Sequence, residues 1–122
     1  MNIYRLLTNT GQTFAFEIEN IYICPIKIAD IISTIDGVTS VRCRKPFTAE
    51  KEIHIKFLFH ETEFIVWEPY GDSSRYWIGP ADESELDIEL LIKAFKNYQP
   101  SFVRRVIGDI ITFKFKKYFM FF

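Results

Sequence analysis

The stretch Glu52–His60 constrains the fold more than any other part of the chain. Ile53, Ile55, Phe57 and Phe59 take every second position, with His54, Lys56 and Leu58 between them. A period of two marks a half-buried strand. Thr13–Glu19 repeats it, with Phe14, Phe16 and Ile18 on one side and Glu17 and Glu19 on the other. Ile3–Leu7 pairs with this second run through Asn9-Thr10-Gly11, whose glycine supplies turn chemistry. Val38–Arg44, Glu52–His60 and Glu63–Glu68 follow as three further strands, and Arg75–Ile78 as a short fourth that Gly79-Pro80 ends. The connections among these are too short for the crossovers that parallel strands need, so the sheet is antiparallel.

Three segments carry helical spacing. Pro25 suits a first helical turn, and Ile28, Ile31, Ile32 and Ile35 form a stripe that Gly37 closes as a C-cap. Asp82 and Ser84 are both N-cap types, each with an acid three positions on. Ile88, Leu91, Phe95 and Tyr98 then form a stripe that Pro100 stops, with Lys93 and Lys96 in the last turns. Phe102, Val106, Ile110 and Phe113 fit a third helix, while Ile111, Phe113 and Phe115 also fit a strand. A helix from about Ser101 to Asp109 is favoured. The expected fold class is α+β. An antiparallel β-sheet, made of an N-terminal hairpin plus a three- to four-strand meander, carries two or three helices packed on one face.

At 122 residues the chain is read as a single domain, 1–122. Nearly half of it is apolar and its net charge is −1, which excludes an expanded disordered chain. Cys24 and Cys43 could make one bridge at most, so a disulfide scaffold is excluded too. Arg5-Leu6-Leu7 runs directly into polar residues 8–12, so no signal-peptide core forms. No apolar run reaches the ~18 residues of a membrane span. A cytoplasmic location is expected.

The near-neutral total hides a strong asymmetry. Residues 61–100 hold three basic groups against nine acidic ones, net −6, and residues 101–122 hold five basic groups against Asp109, net +4. Such imbalance speaks to partners rather than to fold.

No catalytic constellation is visible. His54 and His60 would stand roughly 20 Å apart along one strand, too far to share a metal ion. Ser73, Ser74 and Asp72 lie together in a loop with no histidine placed beside them. No Gly-x-Ser-x-Gly elbow and no glycine-rich phosphate loop occurs. The expectation is a non-enzymatic chain with no cofactor and no metal.

The unusual segment is 66–80, which packs two Trp, two Tyr, an Arg and two acids around turn residues. Trp, Tyr and Arg dominate interface hot spots. Glu61, Glu63, Trp67, Glu68, Tyr70, Asp72, Arg75, Tyr76 and Trp77 are therefore the candidate partner-binding residues, with Asp82, Glu83, Glu85, Asp87 and Glu89 able to extend the patch. Strand parity adds a second surface. If Phe57 and Val66 face the helices, Leu58, Ile65 and Trp67 face away, to be covered by the C-terminal segment, a second copy in a homodimer, or a partner.

From Ile28 to about Tyr98 the layout resembles small bacterial immunity proteins of contact-dependent inhibition and other polymorphic toxin systems. The resemblance lies in a helix, the Asp36-Gly37-Val38 junction, three antiparallel strands, the Gly71-Asp72-Ser73 turn and a second helix. The basic C-terminal tail departs from that layout. The resemblance implies a cytoplasmic protein that neutralises a cognate toxin domain, expected to be a basic nuclease, by covering its active site. The alternative is a small nucleic-acid-binding module in which the aromatic and basic residues 113–122 stack bases and pair phosphates. Against it, the tail's basic footprint is small and the rest of the chain acidic, which also disfavours a membrane surface.

Overall fold

The computed structural model describes residues 1–20, 23–43, 53–68 and 75–99. Within them lie β1 (Tyr4–Leu7), β2 (Thr13–Glu19), α1 (Pro25–Ser33), β3 (Val38–Cys43), β4 (Ile53–Phe59), β5 (Thr62–Trp67), β6 (Arg75–Pro80) and α2 (Glu89–Lys96). The six strands form one sheet in the order β1-β2-β6-β5-β4-β3, and every pairing is antiparallel. The fold is thus α+β. The expected N-terminal hairpin and meander are both present, fused into one sheet where β2 pairs with β6.

Alternation decides which side chains enter the core. Phe16 and Ile18 of β2, Ile55, Phe57 and Phe59 of β4, Phe64 and Val66 of β5, and Tyr76 and Ile78 of β6 are all buried. They join Ile28, Ala29 and Ile32 of α1 and Leu91, Ile92 and Phe95 of α2 in a single cluster. Phe16 meets Phe95 with ring centroids 5.7 Å apart. Each of these phenylalanines contributes about 1.5–3 kcal/mol by leaving water.

α1 begins at Pro25 as expected but ends at Ser33, before Gly37. Ser33 and Thr34 turn their hydroxyls back onto the carbonyls of Ala29 and Ile31 at 2.7 Å, which loosens the last turn. Gly37, at φ +88°, serves instead in the link to β3, where its carbonyl accepts the His60 amide at 2.9 Å. The β4–β5 turn is tight. His60 and Glu61 both have positive φ, 49° and 66°, the conformation a two-residue hairpin demands.

The second helix is shorter than its spacing predicts. Residues 83–88 are not helical, and α2 starts only at Glu89. The reason is local competition. Ser84 Oγ accepts the Leu86 amide at 3.2 Å and Asp87 Oδ1 accepts the Glu89 amide at 2.9 Å. Two successive side-chain turns thus take up amides that helical continuation would have used. Gln12 also donates to the Glu85 carbonyl at 2.9 Å, tying the segment to the β1–β2 turn. β6 departs in the other direction, running on through Gly79 and Pro80. The expected third helix, or strand, at 101–122 lies outside the described residues. No described helix is long and apolar enough to cross a membrane.

Candidate functional site

Pairing fixes where each candidate residue stands. Glu63 lies near the start of β5 and Glu68 just past its end, about 17 Å apart at strand rise. The acidic and aromatic candidates therefore separate into two groups instead of forming one patch.

At one end, the β1–β2 turn, the β4–β5 turn and the segment after β6 converge. The Ala81 amide donates to the Glu63 carbonyl at 2.9 Å, which carries the acidic segment past the hairpin. Glu61, Glu63, Asp82, Glu83, Glu85 and Asp87 are all exposed here. Glu63 has Arg42 at 3.7 Å, and Glu89 has Arg5 at 2.5 Å. Arg5 holds the Glu89 carboxyl below its ordinary range through that hydrogen bond, and Glu89 in turn raises the guanidinium. Glu61, Asp82, Glu83 and Glu85 have no ion-pair partner among the described residues. Two hollows open between these acids. One of about 500 Å³ is lined by Thr8, Phe14, Glu83, Ser84 and Glu85. The other, about 330 Å³, is lined by His60, Asp87, Glu89, Leu90 and Lys93.

At the opposite end stand Trp67, Glu68, Arg75, Tyr76 and Trp77, split between the two faces of the sheet. Tyr76, a candidate partner-binding residue by type, is 5% exposed and belongs to the core, so it is not a surface residue. Glu68 lies on Tyr76's side, hydrogen-bonded to His54 Nε2. A register shift between Ile53 and Ile55 puts His54 there. Plain alternation sends His54 to the face away from Ile55. The bulge instead turns its ring edge-on to Tyr76, with centroids 5.5 Å apart. This His–carboxylate pair is the grouping that sequence reasoning missed, and periodicity carries no signal for a bulge.

Arg75, Trp67 and Trp77 occupy the other face. Arg75 lies over the Tyr4 ring at 3.7 Å and donates to Glu17 Oε1 at 3.2 Å. Glu17 is 3% exposed, so a guanidinium beside it offsets much of the cost of removing its charge from water. The Tyr4 hydroxyl donates to Glu19 at 2.8 Å; that bond, and then burial, raise its pKa. Trp67 and Trp77 meet edge to face with centroids 6.2 Å apart. The Trp77 ring extends over Gly79, where a Cβ would come within 2.8 Å of the indole. Tyr70 and Asp72 lie outside the described residues.

Among the described residues, no three His, Cys, Asp or Glu side chains are placed to share a metal ion. No protein-family model, no curated protein and no solved structure matches the chain.

Proposed function

We propose that this chain is a non-enzymatic, cytoplasmic protein-binding domain: an immunity protein that neutralises a basic, nuclease-type toxin by direct contact. In this reading both helices form one layer over the core face of the sheet. The observation that carries it is the acidic end of the sheet. Six exposed carboxylates from a hairpin and an irregular segment gather there, and Glu61, Asp82, Glu83 and Glu85 have no ion-pair partner among the described residues. Enzymes that cleave nucleic acids present cations to phosphates. An acidic surface of this kind raises the rate at which such a partner is captured and blocks the same cations.

The reading moves the weight of recognition. Glu68 is tied to His54, whereas Glu83 and Glu85 are exposed and lie outside any helix. Glu83 and Glu85 therefore rank above Glu68 for binding.

The test is surface-plasmon kinetics against the toxin domain encoded in the adjoining reading frame. Glu83→Lys with Glu85→Lys should slow association, most strongly at low salt, with circular dichroism unchanged. Absence of any complex with that domain, or kinetics indifferent to both substitutions and to salt, would overturn the proposal.

A further inference from the structure

The second face of the sheet carries large apolar side chains that the core does not use, set among Lys56, Glu63, Arg75 and Glu17. Register places Leu58, Ile65, Trp67 and Trp77 on the face opposite Phe57, Phe64, Val66 and Ile78. None of the four belongs to the core cluster or packs against it, and each is half-buried. The Trp77 indole lies along the strand over Gly79. One polar atom is out of place on this face. Trp67 Nε1 is sealed from solvent and has no hydrogen-bond partner among the described residues. A buried indole N–H calls for an acceptor.

The chain supplies a matching segment. Residues 100–122 hold thirteen apolar side chains, and Phe102, Val106, Ile110 and Phe113 recur at helical spacing. Such a stripe must leave water against something. The point of departure suits this face. The N-terminal ammonium group lies 3.4 Å from the carbonyls of Lys96 and Tyr98, so the described chain reaches Tyr98 beside the start of the edge strand β1. From an edge, a chain reaches either face. Crossing from β1 to β5 takes about 14 Å at the usual strand spacing. Twenty-three residues cover about 35 Å even as a helix.

We propose that residues 100–122 dock on this second face, over Leu58, Ile65, Trp67 and Trp77. Residue 100–122 side chains are then occupied within the chain, and the aromatic tail is not a nucleic-acid site. The proposal is independent of the toxin-binding reading.

The chain's only two tryptophans both lie on the proposed surface, so their emission reports its cover. The full-length chain, with the exposed Cys24 and Cys43 changed to Ser, is given a nitroxide label at Thr112→Cys and, separately, at Lys117→Cys. Its emission is compared with that of a diamagnetic analogue. Docking predicts loss of most of the tryptophan emission for at least one label, with no dependence on protein concentration. A second mixture tests a neighbouring copy: labelled chains carrying Trp67→Phe and Trp77→Phe, added to unlabelled chains, should quench nothing. Quenching in that mixture would assign the face to a second copy. Quenching at neither label in a folded chain would leave the face to an outside partner. Either result overturns the proposal.

Discussion

Gly79 offers the sharpest test of how the second sheet face is built. A Cβ added there would sit 2.6 Å from the Ala15 Cβ and 2.8 and 3.1 Å from two atoms of the Trp77 ring. Carbon atoms prefer about 3.5–4.0 Å, so the overlap is near 1 Å against one neighbour that moves only with its backbone. Overpacking of this kind costs about 1–3 kcal/mol. For a domain of this length that lowers Tm by roughly 4–12 °C. Gly79→Ala should show this loss by circular dichroism, with a change in tryptophan emission as the indole is displaced. Two controls separate crowding from backbone effects. Gly11→Ala meets nothing within 4 Å but forces a side chain onto φ +88°, and should cost only about 1 kcal/mol. Ala15→Gly combined with Gly79→Ala removes the 2.6 Å contact, so the double variant should be more stable than the sum of the single losses predicts. A Gly79→Ala loss no larger than that of Gly11→Ala, or strict additivity with Ala15→Gly, would refute the close packing described.

Glu61 holds a left-handed conformation, φ 66°, in the β4–β5 turn, so Glu61→Gly should raise stability by up to about 1 kcal/mol in thermal melts while removing one acid from the binding end. A lower Tm for Glu61→Gly would show that the carboxylate makes a stabilising contact. Tyr4 is held protonated by its bond to Glu19, with its pKa raised above 10.0. A pKa raised in the folded state contributes stability that is complete below the unfolded value near 10 and disappears as pH climbs through the folded value. Melts from about pH 9 to about pH 11 should therefore fall more steeply for the parent chain than for Tyr4→Phe, and parallel curves would remove the bond from the account.

Strands were legible because a period of two survives wherever one face is buried. The bounds of β2 match the alternation of Phe14, Phe16 and Ile18, and β4 and β5 follow theirs within a residue or so at each end. The same rule, applied to 75–80, places Tyr76 and Ile78 inward and Trp77 outward. Tyr76 belongs to a residue type common at interfaces, but parity decides its place. Pro80 has the type of a strand breaker, yet it pairs opposite Phe64 at the end of β6. A proline lacks only a donor, and at the last residue of a strand that donor is dispensable. The helix expected from Asp82 or Ser84 had every local signal: caps, an apolar stripe and charges matched to its dipole. Those signals do not reveal that Ser84 and Asp87 are each occupied by an amide two residues on. His54 lay beyond reach for a different reason, since a one-residue bulge leaves no mark on composition or spacing.

The misread helix bears directly on function. Acids in a helical first turn face a positive helix end worth about half a charge, which lowers their reach into solvent. In the irregular segment 83–88, only Asp87 bonds the incoming helix through its side chain, and Glu83 and Glu85 have no such compensation. Neighbouring hairpin acids Glu61 and Glu63 add to the same field, because carboxylates within a Debye length of about 8–10 Å act together. Among the described residues Arg5, Arg42 and Lys93 are cations near these acids, and the two arginines are engaged with Glu89 and Glu63. The repulsion among the remaining acids destabilises the isolated fold and is relieved by salt or by a basic partner. A fold that needed this segment only as a connector would gain stability by replacing those acids with neutral residues. Their convergence with the hairpin acids, through the Ala81–Glu63 bond, follows from antiparallel pairing of β5 with β6. The topology of the sheet thus concentrates charge from two separate stretches of sequence at one end, where a partner bearing phosphate-binding cations would meet it.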